Sequence, residues 1–458
     1  MTDQTRSGPR AGRSPYALVG AGEFGATLVA QSRRIPELAL AAVCDRDVAR
    51  AKAALAAGGY DGEAIRVAGS RAEALAAIEA GRIAILEDSA LLADLPLKAV
   101  VEATGDPFGA AAVADQALGF GYHVAMATKE AEVVVGPELA RRAKAAGLVH
   151  TLVEGDQPSL LCQLIQRAQA LGFPVVAAGK STESDYVYDP QKRTITAWGR
   201  TEHAPDGYDA LFTPADPVAR IGERVNPSLP TATVPDHTEM TIVANQCGLQ
   251  PDTAAMHGPV ARTAELADVF GPKDDGGILS RSGVVDVFTC LRRPDELSFA
   301  GGVFVVVETP DPATGRLLAS KGMPGSRSGR RLMLHNPVHL LGAEVGLSLL
   351  SALRTGRGTG GEAPRQRFDV VGRTRTALKA GHRFTLGRRH AFPDLEPLIQ
   401  PAAALSGGGP LPYYLLPGAA LLRDVPAGHT LTAADVSTTP DSALWRLREA
   451  QDGAGLLG

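Results

Sequence analysis

A glycine-rich turn placed directly behind a short apolar run constrains this chain more than any other stretch. "YALVGAGEFGATLVA", Tyr16 to Ala30, reads as strand, turn and helix, with Gly20, Gly22 and Gly25 in G-x-G-x-x-G spacing. Gly20 permits the tight turn, Gly22 lets backbone approach a pyrophosphate, and Gly25 lets helix and strand pack closely. The helix opening at Glu23 and Phe24 then offers unpaired N–H groups and partial positive charge to phosphates. Asp45 ends the next strand about 20 residues on, where a carboxylate would accept hydrogen bonds from an adenosine ribose. That favours NAD, while the guanidinium of Arg46 beside it keeps NADP open.

The pattern behind the turn supports the same class. "YALV", "LALAAVC", "AVVEA", "HVAMA" and "VHTLV" are compact apolar runs, as strands buried on both faces would be, and alanine-rich helical stretches separate them. Alternation of this kind predicts an α/β fold with a parallel, doubly wound sheet. Thr104 and Gly105 in "VEATGDP", and Lys129 and Glu130 in "MATKEAE", would lie at carboxyl ends of strands, where such sheets bind ligands. "GPELARRAKAAG" reads as a helix starting at Pro137, and "QPSLLCQLIQRAQALG" as one starting near Pro158 and stopping at Gly172. "VVAAGK" reads as a strand ending at Lys180, and Tyr186 to Pro235 as loops with short elements. From about Phe368, short strand-like runs among Gly and Pro turns indicate a small β-rich module.

Composition removes several classes. A chain of 458 residues with a formal net charge of −4 is not a dedicated nucleic-acid binder. No apolar run is long enough to span a membrane, and "MTDQTRSGPRAGRSP" lacks a secretory core, so the cytoplasm is the expected location. Cys44, Cys162, Cys247 and Cys290 show no ligand spacing. The expected division is a flexible tail at 1–14, a dinucleotide-binding domain at 15–155, a catalytic and oligomerisation domain at 156–365 and the β-rich module at 366–458. The helix expected at 338–355 is placed to pack back on the first domain.

"GAGEFG", "EATGDP", "TKEAEVVVGPELARRAKAAGLVHTLVEGDQPSLLCQLI" and "VVAAGK" together resemble the homoserine-dehydrogenase-like oxidoreductases. "PLPYYLLPGAALLRDVPAGHTLTAADV" resembles a SAF domain, and "HNPVHLLGAEVGLSLL" resembles a helix of the same branch, that of the deoxyxylulose-phosphate-reductoisomerase-like enzymes. The resemblance implies a Rossmann domain binding NAD or NADP, an α+β catalytic domain that also mediates homo-oligomer contacts, and the SAF module. It implies carbonyl/alcohol redox chemistry on a small molecule, in that branch with rearrangement of a ketose phosphate and help from a divalent metal. Three features depart from the branch, one being "SRSGRR", which is more basic than the corresponding loop of relatives. Thr128, Lys129 and Glu130 stand where an Asn-Val-Glu run is expected, and Glu239 of "DHTE" stands where relatives carry lysine.

Carbonyl reduction needs a hydride donor and a group to protonate or polarise the oxygen. Lysine suits both roles if burial lowers its pKa, so Lys180 is the expected general acid/base and Lys129 the carbonyl or cofactor contact. Magnesium or manganese would need carboxylates, and Glu130, Glu154, Asp156, Asp236 and Glu239 are the acids near expected strand ends, with no diagnostic spacing. Asp156 has a structural alternative at the start of the Pro158 helix. His237, His257, His335 and His339 are further proton carriers, His339 on an apolar helix that favours packing. Arg327, Arg330 and Arg331 in "PGSRSGRRLML" would clasp a substrate phosphate, or form a solvated turn. The expected function is an NAD(P)-dependent oxidoreductase of a small polar carbonyl or alcohol, foremost a sugar phosphate with coupled isomerisation. A homoserine, polyol or aldonate dehydrogenase and a catalytically inactive cofactor-bound regulator are the alternatives.

Overall fold

The computed structural model describes residues 12–229, 231–437 and 441–458, so the expected N-terminal tail falls largely outside the described residues. The first sheet is built from β1 (Ser14–Val19), β2 (Leu38–Cys44), β3 (Ile65–Val67), β4 (Ile83–Leu86), β5 (Ala99–Glu102), β6 (His123–Met126) and β7 (His150–Leu152). Helices α1 (Glu23–Ser32), α2 (Val48–Ala57), α3 (Arg71–Glu79), α4 (Pro107–Gly119) and α5 (Lys129–Ala145) connect them. All seven strands are parallel in the order β3-β4-β2-β1-β5-β6-β7. The fold is α/β and Rossmann-like. Strand order reverses between β1 and β5, which opens a crevice above their carboxyl ends.

Local chemistry sets these elements. The strand residues Ala17, Leu18, Val43 and Val100 are fully buried, as a sheet covered on both faces requires. Asp47, Ser70 and Asp106 cap α2, α3 and α4 by accepting first-turn N–H groups. Ala110, Ala111, Ala114 and Ala117 let α4 lie close against the sheet.

Helix α5 corrects the expected start at Pro137. It begins at Lys129, and Pro137 lies inside it. Proline removes the N–H that would bond the carbonyl four residues back and opens the ladder around it. Two distant glutamines fill the gap. Gln366 Nε2 donates to the Val133 carbonyl at 2.8 Å. Gln451 Nε2 donates to the Val134 carbonyl at 3.0 Å while its Oε1 accepts from Glu138 N–H at 3.0 Å. Both glutamines are fully buried, so the C-terminal segment is stitched into the middle of this helix.

Behind β7, α6 (Gln157–Ala170) leads into a second, mixed sheet. Its strands are β8 (Val175–Asp189), β9 (Thr194–Ala197), β10 (Arg200–His203), β11 (Gln250–Pro251), β12 (Val260–Ala261), β13 (Val284–Arg292), β14 (Val303–Glu308) and β15 (Arg331–Asn336). Short helices α7 (Tyr208–Phe212) and α8 (Pro217–Arg220), the long α9 (Val234–Cys247), then α10 (Leu266–Val269) and α11 (Pro312–Ala319) accompany it. Strand β8 does not stop at Lys180, because its polar continuation pairs with β13 and β9 as far as Asp189. Lys180 therefore sits mid-strand, between Val287 and Val303.

The helix expected at 338–355 is shorter. A 3-10 turn at Leu341–Glu344 precedes α12 (Val345–Thr355), which ends at Gly356 with a left-handed φ of 64°. A Cβ on Gly342 would collide with the backbone of α1, so this turn lies directly on the helix behind the glycine motif. His339 precedes both elements, and its ring bonds the Gly301 carbonyl rather than packing on a helix. Beyond α12, β16 (Phe368–Thr374) and β17 (Leu395–Pro401) pair antiparallel, and α13 (Ala443–Gly453) carries Gln451.

Gln451→Ala is expected to destabilise the fold by about 2 kcal/mol, because a buried donor and acceptor lose their partner. Urea denaturation checks this, and an unchanged midpoint would mean that the Pro137 break needs no repair.

Candidate functional site

The glycine turn has the shape its spacing predicts. Gly20 has φ of 99°, and a Cβ there would collide with the Ala103 carbonyl on the next strand's exit. A Cβ on Gly25 would strike the Gly20 carbonyl, whereas nothing lies within 4 Å of one on Gly22. The Gly22 side of the turn is thus open, and no side chain caps the N-terminus of α1 at Glu23 and Phe24. Asp45 ties this turn to β2: its Oδ2 accepts from Ala21 N–H at 2.8 Å and its Oδ1 from Asp47 N–H at 2.8 Å. Gly20, Asp45, Arg46 and Thr104 line a cavity of ≈ 550 Å³ together with the acids Asp47 and Asp88. These features fit a dinucleotide: open backbone at the phosphate position and a carboxylate at the ribose position.

One buried acid absent from the sequence-based expectations organises the exits of β5 and β6. Glu102 ends β5, and its carboxylate accepts from Thr104 N–H and Oγ1 at 2.7 Å each. It also accepts from Thr128 Oγ1 at 2.9 Å and Thr128 N–H at 3.2 Å. Thr128 in turn takes Gly105 N–H at 2.9 Å. Burial pushes the Glu102 carboxyl up, and these four donors pull it back. The strand-end loops of β5 and β6 are therefore one hydrogen-bonded unit, with Lys129 following immediately at the start of α5.

Lys129 heads a chain of alternating charges. Its Nζ lies 2.5 Å from Glu239 Oε1 and 3.2 Å from Asp156 Oδ1. The other oxygen of Glu239 bonds Lys180 Nζ, which also pairs with Asp236 Oδ1 at 2.9 Å and meets Gln157 Oε1 at 3.4 Å. The expectation placed Asp236 and Glu239 near strand ends; both lie on α9, which runs across the cleft. Asp236 also closes the capping box of that helix with Thr233. Asp156 takes the structural alternative foreseen for it, accepting Gln157 N–H at 3.0 Å as the cap of α6, and the same Oδ1 lies 3.2 Å from Lys129 Nζ.

The lysine chemistry differs from the expectation. Burial alone pushes the Lys180 ammonium towards neutrality, but Asp236 and Glu239 more than offset it, and its pKa is raised. Lys129 is raised for the same reason, by Asp156 and Glu239. Both lysines stay ammonium ions at neutral pH, so neither serves as a base there. Their access also differs: the Lys129 side chain is 25% exposed and that of Lys180 is 1% exposed. The open end of the chain is Lys129.

Other candidates lie elsewhere. Glu154 is held by Ser159 and Gln163 outside the lysine cluster. His237 Nδ1 lies 3.0 Å from the Thr233 carbonyl, and His257 pairs with Asp252 at 2.8 Å. The arginines do not converge on the lysines. Arg331 is buried against Asp275, Arg330 reaches Asp275 at 3.8 Å, and Arg327 is held by Asp216 and Asp268. Arg331 pairs with Glu308 and Lys180 with Val303 on opposite edges of β14, which offsets them by roughly 17 Å along the strand alone at the usual rise. Among the described residues no three His, Cys, Asp or Glu side chains are arranged to hold a metal ion. Asp156, Asp236 and Glu239 face lysines and Glu130 faces the His390 ring, so the acids at hand do not fit the anticipated magnesium or manganese site.

One more residue reaches the cleft from far along the chain. His390 Nδ1 lies 3.0 Å from Glu130 Oε1, and Glu130 is buried rather than on a solvated helix start. No motif around "LGRRHAF" signalled this, since the contact spans the whole catalytic segment.

Residues 155–213 and 223–345 match a family described as "Oxidoreductase DRL, catalytic domain". No curated protein matches the chain. Similar solved structures include an oxidoreductase from Agrobacterium radiobacter in complex with NAD+, L-tartaric acid and magnesium, at 14% identity over 76% of this chain and 91% of that one, TM-score 0.39. A probable dehydrogenase from Thermotoga maritima is 11% identical over 75% of this chain and 90% of that one, TM-score 0.38. Dihydrodipicolinate reductase from Paenisporosarcina sp. TG-14 with bound dipicolinate is 11% identical over 76% and 97%, TM-score 0.35. At scores this low, the strand order itself carries the fold assignment. The segment similar to an oxidoreductase catalytic domain follows directly on the dinucleotide-type sheet. No helix among the described residues is long and apolar enough to cross a membrane.

Glu239 gives this site a pH signature. Burial opposes its ionisation, but Lys129 and Lys180 hold the carboxyl down to about 2, against an ordinary 4.5. A depressed folded pKa stabilises the fold fully above the unfolded value and is lost as pH falls through the folded one. Acid unfolding followed by circular dichroism should show about 3 kcal/mol of stability vanishing between pH 4.5 and 2. Glu239→Gln should lack that component; an identical acid profile would contradict the shared-carboxylate geometry.

Proposed function

We propose that this protein is an NAD-dependent dehydrogenase or reductase of a small, unphosphorylated polar alcohol/carbonyl pair, with Lys129 as the cation that meets the substrate oxygen. The observation that carries this reading is the accessible Lys129 ammonium at the strand-end edge, heading a buried chain of ion pairs. The nicotinamide, when bound, supplies or accepts the hydride. Lys129 donates a hydrogen bond to the carbonyl oxygen and stabilises the negative charge that grows there as the carbonyl is reduced. A fixed donor of this kind acts most strongly where water is excluded. Asp156 and Glu239 hold its Nζ in place, and Lys180 neutralises the far oxygen of Glu239. Lys180 is then a positioning residue rather than the general acid/base expected from sequence.

Cofactor choice follows from charge. Asp45 sits at the ribose position, and Asp47, Glu87 and Asp88 line the same cavity against Arg46 and Arg50. Arg50 is engaged by Asp45 at 3.9 Å and Asp47 at 3.8 Å, which leaves an acid-rich surround that disfavours a 2′-phosphate. The substrate class follows from the arginines. Arg327 and Arg331 are engaged by carboxylates and Arg330 lies beside Asp275 on the same turn, away from Lys129, which favours a polyol, aldonate, hydroxy acid or homoserine over a sugar phosphate. Skeletal rearrangement would need adjacent oxygens held on a metal, and the cleft acids are committed to lysines, so simple hydride transfer is the better-supported reaction.

NADH should raise the melting temperature more than NADPH, with at least ~10-fold tighter binding, and Asp45→Ala should erase most of that preference. Equal affinity for both would remove the charge argument. Lys129→Met should lower kcat/KM by ~10²–10³ on whichever of the polyols, aldonates or homoserine is turned over, with NADH affinity nearly unchanged. Full activity in that variant would rule out the role given to Lys129.

A further inference from the structure

Oxidation of an alcohol releases a proton as well as a hydride, and the two lysines are already protonated. The cleft needs another group to take that proton. His390 is held where such a group would have to be. Its Nδ1 lies 3.0 Å from Glu130 Oε1, on the residue that follows Lys129 in α5. Its Cε1 lies 4.0 Å from the position a Cβ on Gly105 would take, at the exit of β5. Its side chain is 38% exposed overall, while Nδ1 itself is buried beside the Glu130 carboxylate without completing a hydrogen bond to it.

The loop that brings it there belongs to the C-terminal sheet, between β16 and β17. Arg389 and His390 have φ of 55° and 54°, two consecutive non-glycine residues in the left-handed region. Such strain persists only where surrounding structure over-determines it, and it concentrates at functional sites. Gly387 N–H donates to the Ala391 carbonyl at 2.8 Å and closes the loop. Phe392 N–H donates to Tyr413 Oη at 2.8 Å, and the Phe392 ring sits between those of Phe384 and Tyr413. The histidine is thus held by an aromatic anchor on one side and a buried carboxylate on the other.

We propose that His390, supplied by the C-terminal sheet and oriented by Glu130, is the proton carrier of the reaction. The proposal rests on the oxidoreductase reading above and adds the residue that completes it. In the proposed working geometry Glu130, 3.0 Å from Nδ1, accepts from Nδ1–H, and the neutral ring keeps the lone pair of Nε2 free for the substrate proton. As the carbinol carbon yields its hydride to the nicotinamide, the hydroxyl proton passes to Nε2 and the carbonyl double bond forms. In reduction the imidazolium returns that proton to the oxygen while the hydride adds to carbon. Lys129 stabilises the oxygen in both directions. His339 has only the Gly301 carbonyl as partner, and the Nδ1 of His237 only the Thr233 carbonyl, so neither has a carboxylate to orient it for this task. The charged and titratable groups around the pair are Lys129 and Asp156, the Tyr414 hydroxyl near Glu130, Arg388 and Arg389 on the loop, and Asp236, His237 and Glu239 on the neighbouring α9.

The test uses the full chain with His390→Ala, His390→Asn and Glu130→Gln, asparagine being the residue that best tolerates the left-handed backbone. His390→Ala and His390→Asn should each lose ~10²–10³ in kcat, with NADH affinity within about threefold of wild type. Added imidazole should restore at least ~10-fold of the lost kcat in His390→Ala and nothing in Lys129→Met. Nitrogen-15 NMR of the protein without cofactor should place the neutral proton of His390 on Nδ1, with its resonance moving on NADH addition and the tautomer lost in Glu130→Gln. A kcat of His390→Ala close to wild type, a loss that imidazole does not rescue, or a proton found on Nε2 would each overturn the proposal. A wild-type protein that neither binds NADH nor turns over any substrate in the panel would instead overturn the function proposed above, and the tautomer would still decide the His390 geometry.

Discussion

The site depends on one buried carboxylate shared between two ammonium ions. Glu239 is 1% exposed and bridges Lys129 and Lys180. Removing either charge from such an arrangement leaves the other uncompensated, which costs far more than the pair contributes. That sensitivity makes the arrangement specific. Lys180 reaches Glu239 only because β8 passes through the middle of the second sheet, and Glu239 reaches Lys129 only because α9 crosses from that sheet to α5. The bridge therefore fixes the distance between the catalytic segment and the dinucleotide-type sheet. It also fixes charge: both lysines are held as cations, which suits stabilising an oxygen and excludes taking a proton from one.

A second constraint works at close range. Gly20 admits the Ala103 carbonyl and Gly25 the Gly20 carbonyl, where any side chain would collide. Glu102, one residue before Ala103, then gathers the exits of β5 and β6 into a single unit. The turn that would hold the pyrophosphate and the loops that would meet the nicotinamide are thus parts of one rigid edge. Preorganisation of this kind places donors before the substrate arrives, so little reorganisation is left for the chemical step.

What could be read from the chain tracks the range of the interactions involved. The glycine turn, the alternating strands and α6 are local patterns, and they stood out. Helix α9 did not. Almost every residue from Asp236 to Asn245 is buried, so no polar face alternates with an apolar one and the helical period is masked. Pro137 looked like a helix start because its missing donor is replaced by Gln366 and Gln451, which lie hundreds of positions away. Lys180 looked like a strand terminus because the polar residues after it are covered by partner strands that sequence does not reveal. The arginine-rich turn read as either a phosphate clasp or a solvated turn, because its counter-charges, Asp216, Asp268 and Asp275, come from other elements. His390 carried no local signal, since its meaning lies wholly in the contact with Glu130.

The central claim is that the glycine turn and the lysine chain serve one bound dinucleotide from opposite ends. A crystal structure with NADH measures this directly. The account predicts the pyrophosphate on the open Gly22 face of the turn and the nicotinamide over Thr104 and Gly105, with its C4 facing the space in front of Lys129 Nζ and His390 Nε2. A nicotinamide directed away from Lys129, or a dinucleotide bound at another edge of the sheet, would contradict it.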